Sequence, residues 1–515
     1  MIVRYILFFF FFNMVSFGFA QKKHQDTSSY IHQDNRLEFN LGAQSMDFEL
    51  ITGDELGLLA VVATNISSQE GLDWILHSID TALVIRWTKI FSIPFASRLL
   101  GTEYHDGSYY LLFNAAEYSK EDLLLIEINA VSGNYKRMEI NTVFPIQLSF
   151  FEVLDGNVIF SGYTNYRPVL LTFDLEEEKL KVVPGFYENK SDILDVIIDD
   201  DARLFTVIQQ DYLEDRKITT IRAKTFISDG SLIQDNLISP GDRKSLLDGT
   251  STIFQGGYQY LAGTYSRKPS EYSRGLYLSK FMNGRQQFVK YHDYSDLTNF
   301  FGFMNPKREK RVLDRIKRKR EKGKQPHFSY RLMVHDIIRR GDEYLMIAEA
   351  YYPRYNSVSN LANNGYSSYG MTPGFSGYQY THAILVAFDR NGEILWDNSF
   401  EINDIETYSL QEFVAVNVLE DKVVLMYLEE NLIRSKVVMG NEVYEGKTFN
   451  PVKLSNPTDE LKSRDPEVEG LRKWYGNIMY AFGEQRIDSN SSYGRNSRRV
   501  FYINKVSCSV GDVPN

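Results

Sequence analysis

Between Lys307 and Lys324 the chain reads KREKRVLDRIKRKREKGK, eleven Lys or Arg against three Asp or Glu. That local excess of positive charge sits in a chain whose formal net charge is −10. Side chains of this kind at this density attract polyanions, so the chemistry on offer is electrostatic capture rather than bond making. Helix formers dominate, Pro306 and Gly323 bound the run, and Val312, Leu313 and Ile316 fall near one another on a helical wheel. The spacing therefore predicts a basic helix, with Lys307, Arg308, Lys310, Arg311, Arg315, Lys317 and Arg318 as candidate contacts. Two roles are open to it: capture of an anionic glycan or acidic envelope protein, or a solvated face answering the protein's own acidic surface.

A second stretch, YYPRYNSVSNLANNGYSSYGMTPGFSGYQY from Tyr351 to Tyr380, is built from Tyr, Ser, Gly and Asn. That composition suits adaptable contact surfaces, because Tyr offers amphipathic area at low conformational cost. Tyr352, Tyr355, Tyr366, Tyr369 and Tyr378 are the candidates for stacking on a sugar ring or a partner protein. The plainer reading is a low-complexity loop without a partner.

Bond-making chemistry leaves less trace. Asp199-Asp200-Asp201 could ligate a metal, but it falls at an expected hairpin, where Asp serves turn geometry. The eight histidines show no His-x-x-x-His spacing, and no nucleophile elbow or phosphate loop occurs. Neither a metal nor a cofactor is expected, and no residue is singled out as catalytic.

The elements that must position these segments are strands. Thr381 to Ile402 reads THAILVAFDRNGEILWDNSFEI, an Asn-Gly pair between apolar runs, which is the pattern of a tight hairpin. Similar runs recur every eight to twelve residues from Leu37 onward and fall into groups of four with a pitch of about 45 residues. Seven groups are full, and an eighth shows only three strands. A spare strand at Leu37–Leu41 is placed to complete it by pairing with Arg499–Val506, which would remove the open edges. The expectation is an all-β β-propeller of eight four-stranded blades over residues 37–508, closed by the N-terminal strand, with seven blades as the alternative count. In up-and-down blades the second-to-third loop and the link to the next blade share a face. Insertions 293–328 and 351–380 should therefore lie together, on the face where long loops would bind.

The unit LVAFDRNGEILWDNSF resembles the repeat of bacterial secreted β-propellers of the quinoprotein-like type. Only four Trp occur, Trp74, Trp87, Trp396 and Trp474, too few for a docking Trp in every blade. The resemblance implies the fold and nothing about a quinone.

Residues 1–20 pair Arg4 with an apolar run, Tyr5 to Phe17, and small residues at Gly18 and Ala20, the form of a cleaved signal peptide. A flexible leader, 21–36, and a short tail, 509–515, complete the expected organisation. Cys508 is the single cysteine, so no intramolecular disulfide can form. Without a later apolar span, these features predict a periplasmic or extracellular protein. The negative charge and that compartment argue against nucleic acid as partner. Two functions follow as expectations: a protein- or glycan-binding scaffold using the insertion-bearing face, or a hydrolase or lyase on polysaccharide with carboxylates in the central funnel.

Overall fold

The computed structural model describes residues 27–41, 46–67, 71–95, 97–114, 122–241, 243–357, 373–403, 405–462, 468–491 and 494–509. The strands form eight antiparallel sheets. Numbered in chain order as blades 1 to 8, their innermost strands are Asp47–Thr52, Leu99–His105, Gln147–Leu154, Ser191–Asp199, Ser245–Ser251, Arg331–Val334, Ala415–Val418 and Glu469–Lys473. Blade 6 carries extra short strands at Ile338–Arg340 and Glu406–Thr407, and blade 8 one at Asp459–Leu461.

Period-two alternation explains how such blades stack. In the second strand of blade 1, Leu58 and Ala60 join residues of blade 8, while Leu59 and Val61 join residues of blade 2. Each blade thus offers an apolar face to both neighbours, as a strand buried on both sides must. The core is divided accordingly into eight clusters, one at each junction between neighbouring blades.

The ring closes as the strand count implied, with Leu37 opposite Ile503 and Phe39 opposite Phe501. This closing strand, however, runs Ile31–Asn40, six residues longer at its start than expected. Tyr30 and Ile31 are buried in the junction between blades 7 and 8, and the Ser28 amide donates to Asn450 Oδ1 at 3.1 Å. Residues 31–36 are therefore sheet and not flexible leader. The expected signal peptide lies outside the described residues, as do residues 510–515.

Inner strands are sheet edges, so half of their amides face the ring axis without a ladder partner. Blades 2 to 5 answer this with a bulge near the start of the inner strand, at Leu99/Gly101, Leu148/Phe150, Ile193/Asp195 and Leu246/Asp248. A bulge re-aims the side chains that follow it. In blade 5 the facing position must be glycine: a Cβ on Gly263 would lie 2.0 Å from the Asp248 carbonyl oxygen.

Candidate functional site

The basic run forms one helix, Pro306–Glu321. Asn305 caps it by accepting from the Arg308 amide at 3.0 Å, Pro306 occupies the first turn, and Arg318, Lys319 and Arg320 sit at the end where the helix dipole favours cations. Ile316 is the buried anchor, in a cluster with Phe300, Phe301 and Leu332, and Val312 packs partly beside it. Leu313 does not join them and is 41% exposed. Lys307, Arg308, Lys310, Arg311, Arg315, Lys317 and Arg318 are all exposed. Arg320 pairs with Asp296 at 2.9 Å, and Arg318 reaches only the Asp314 carbonyl. None of the seven candidate cations makes an ion pair among the described residues, so the helix is not neutralised by this chain's own carboxylates.

Like charges along a helix repel one another, and sixteen residues of this composition would be marginal alone. Packing at Ile316 must hold it. Ile316→Asp is expected to free the segment while the ring stays folded, read as rapid tryptic cleavage within 307–324 with an unchanged thermal midpoint for the remainder. Cleavage no faster than in the wild type would contradict this anchoring.

The insertion begins and ends beside blade 5. Tyr330 bridges Ser273, and Arg274 donates to Gln325 Oε1 at 3.2 Å. Its middle departs from the expected course over the face. The amides of Thr298 and Asn299 donate to the two Asp397 oxygens at 2.7 Å each, and Asn299 Nδ2 reaches the Asn441 carbonyl at 3.3 Å. The segment therefore runs outward along the last strand of blade 6 before the helix starts.

The Tyr-rich stretch is a second correction. Much of it is sheet, not loop: Glu343–Ser357 and Pro373–Phe388 pair continuously to Ser357 opposite Pro373. Tyr352 and Tyr355 are exposed at 42% and 59%, while Tyr378 is half-buried, edge-on to Tyr351 and Phe375. The Tyr352 hydroxyl donates to Gln379 at 2.6 Å. Tyr366 and Tyr369 lie outside the described residues.

The ring axis holds a constellation that motif reading missed. Each of the first five inner strands contributes a carboxylate: Glu49, Glu103, Glu152, Asp195 and Asp248. Several turn back onto the unpaired edge amides. Glu103 accepts from Tyr104 at 3.1 Å, Asp195 from Val196 at 2.8 Å and Asp248 from Gly249 at 2.8 Å. Glu103 and Glu152 stand on the inner strands of neighbouring blades and perturb one another's ionisation. Burial raises the pKa of both, and the neighbouring carboxylates raise it further. Asp195 is pushed up to about 7 by burial and by the charge of Asp336, and Asp248 to about 6 by burial. Deeper in the blade 6–7 junction, Glu349 is fully buried and accepts from the Phe413 and Val414 amides at 2.9 and 2.8 Å. It also lies 2.9 Å from His335 Nε2; burial pulls the His335 pKa down, but Glu349 together with Glu412 and Asp336 raises it on balance.

A cavity of about 390 Å³ opens onto this axis, lined among others by Glu49, Thr102, Glu103, Asp200 and Arg472. Arg472 is paired with Glu49 at 3.2 Å. Of the acidic triplet, Asp199 supports its own turn by accepting from the Ala202 amide, and Asp200 stands 3.3 Å from His105 at the mouth. Among the described residues no three His, Cys, Asp or Glu side chains converge as a metal site, and no helix is long and apolar enough to cross a membrane. Chemically, the axis offers a set of carboxyls whose pKa values are raised towards neutrality.

No known family's sequence profile matches the chain, and no curated protein matches it. Solved structures that resemble it are propellers or contain them. The β-propeller domain of the Trilobed protease from Pyrococcus furiosus is 9% identical, with TM-score 0.36 over 78% of this chain and 94% of that one. Polysaccharide lyase Uly1 is 8% identical, with TM-score 0.37 over 93% and 100%. Prolyl oligopeptidase B from Galerina marginata is 8% identical, with TM-score 0.39 over 87% of this chain and 56% of that one, so this chain spans little more than half its length. These likenesses concern the fold alone.

Proposed function

We propose that this propeller is an exported binding or scaffold module that holds an anionic partner, a glycan or an acidic envelope protein, on its basic helix. One observation supports the reading above the others: seven exposed cations on an anchored helix, none paired with a carboxylate among the described residues. Had the helix merely balanced the protein's acidic surface, those carboxylates would be found against it. The exposed rings of Tyr352 and Tyr355, on the long hairpin of blade 6, add stacking area. Export rests on the apolar run Tyr5 to Phe17 and the small residues after it. The test is capture of defined envelope polysaccharides by the intact protein, by the protein lacking 305–324, and by a variant with Lys307, Arg308, Lys310, Arg311, Arg315 and Lys317 changed to Gln. Undiminished capture by both variants ends the proposal.

A second reading has its own support. Glu103 lines the axial cavity, and burial and neighbouring carboxylates raise the pKa of both it and Glu152, the condition under which a carboxyl can act as a proton donor near neutrality. It fits a hydrolase or lyase acting on polysaccharide. Under this reading Glu103→Gln and Glu152→Gln abolish turnover of a polysaccharide substrate, whereas neutralising the helix leaves kcat unchanged.

A further inference from the structure

At the end of the ring opposite the roots of the two insertions, blades 5 and 6 part around a cavity of about 650 Å³. Two irregular turns create it. Blade 5 returns through Gly256 and Gly257, with φ of 58° and 79°, and Gln255 bridges Tyr258 across that turn. Blade 6 breaks its inner edge between Val334 and Ile338, which places Ile337 in the cavity wall.

Tyr260 and Tyr344 form a buried aromatic pair there, with ring centroids 4.3 Å apart. The Tyr260 hydroxyl fixes the pair by donating to the Arg390 carbonyl at 3.2 Å. Tyr258, 44% exposed, extends this aromatic surface towards solvent. Three cations line the same space. Arg390 is paired with Asp342. Arg339 spends its donors on neutral acceptors, Gln255 Oε1 at 2.8 Å and the Gly341 carbonyl at 3.3 Å. Lys280 has no carboxylate partner among the described residues; its ammonium lies 5.2 Å from the Tyr258 ring and 5.3 Å from Tyr260. Among the described residues no Asp or Glu lines the cavity.

We infer that this cavity binds an acidic oligosaccharide of two or three rings, its carboxylate or sulfate groups held by Lys280 and Arg339 and its sugar faces lying on Tyr258 and Ile337. The volume falls within the roughly 300–1,000 Å³ of small-molecule sites. Tyrosine presents an apolar face and a polar edge, as a sugar ring does, and a guanidinium offers a planar fork to a carboxylate or sulfate. Two cations without anions in one cavity of a protein with net charge −10 favour an anionic occupant over a neutral one. The site shares no residue with the basic helix, so each stands or falls on its own variants.

The test is calorimetric titration of the full-length protein with trigalacturonate, a sulfated heparin disaccharide and neutral maltotriose. Saturable binding of either acidic probe is expected, with maltotriose weaker by about tenfold or more. The two acidic arms tell carboxylate from sulfate recognition. Lys280→Gln and Arg339→Gln should each weaken the acidic probe by about tenfold, and neutralising the helix should not. Arg339 is exposed, so its variant decides the matter even if Lys280→Gln folds poorly. Failure of both acidic probes to saturate, equal affinity for maltotriose, or undiminished binding by Arg339→Gln overturns the inference.

Discussion

Replacing Tyr30–Leu41 by a glycine–serine segment of equal length is expected to abolish cooperative melting and open blade 8 to proteases. The segment pairs with the last strand from Ile31 opposite Cys508 to Asn40 opposite Val500. Arg36 lies over the Tyr502 ring at 4.5 Å and donates to Gln485 at 2.7 Å and to Asn504 at 2.9 Å. Tyr30, Ile31 and Leu41, the residues at and beside its ends, are buried in the junctions on either side of blade 8. At about 1.5–3 kcal/mol per buried side chain, their anchoring is worth about 5–9 kcal/mol. The whole net stability of a folded domain is only about 5–15 kcal/mol. Loss of the strand also bares the backbone edge of Gly494–Cys508 to pairing with other chains. Calorimetry should show a broadened transition at far lower temperature. A single sharp transition at the wild-type midpoint would mean that the ring does not depend on this closure.

The second large effect concerns protons. Glu103, Glu152, Asp195 and Asp248 all have folded-state pKa values above those of a free carboxyl. For such groups the folded state binds more protons than the unfolded one, so stability falls as pH rises from the unfolded towards the folded pKa. His335 has the same sign, since its raised pKa gives stability that is present below about 6.5 and lost as pH climbs through the folded value. The half-buried His77 and His292 and the buried His382 have lowered pKa values and oppose this trend below about 6.5. The clean window therefore lies between pH ~6.5 and ~8, where the thermal midpoint should fall as pH rises; above it Lys436, its pKa lowered by burial to about 8, has the opposite sign. Glu152→Gln keeps a neutral hydrogen-bonding group in place and removes an ionisation. It should flatten that dependence and stabilise the protein at the alkaline end by about 1–3 kcal/mol. A midpoint that rises across the window, or a Glu152→Gln protein that is less stable at the alkaline end, would falsify the proton-holding axis.

The propeller was legible because its strands repeat a simple pattern. Ala383–Phe388, the Asn391-Gly392 turn and Trp396 form the expected hairpin, with Gly392 at φ 80° where a Cβ would meet Phe288 at 2.7 Å. The basic helix was equally visible, down to the burial of Ile316, though Leu313 on the wheel's margin turned outward. Its route was not legible, because the amides of Thr298 and Asn299 choose Asp397 almost a hundred residues later, and nothing local announces that partner. The Tyr-rich stretch was misread for another reason. Gly, Ser and Asn spoke for a loop, while cross-strand contacts such as Tyr355 with Phe375 carry the hairpin onward.

The axial carboxylates are the instructive omission. Each of five consecutive first strands carries an acid near its middle or end, at Glu49, Glu103, Glu152, Asp195 and Asp248. Singly, each reads as the solvent-facing member of a half-buried strand. Only when the ring closes do five such positions turn towards one axis and become near neighbours. A repeated acid at the same strand of successive blades was the signal available.

The most direct measurement is binding of the full-length protein to immobilised lipopolysaccharide by surface plasmon resonance at low and high salt, about 0.05 and 0.5 M. The wild type should bind at low salt and lose at least tenfold in affinity at high salt, because exposed charges are screened over about a Debye length. The variant with six Lys and Arg of 307–317 changed to Gln should bind weakly at both. Equal affinity of wild type and variant at low salt would remove the basic helix as the binding element.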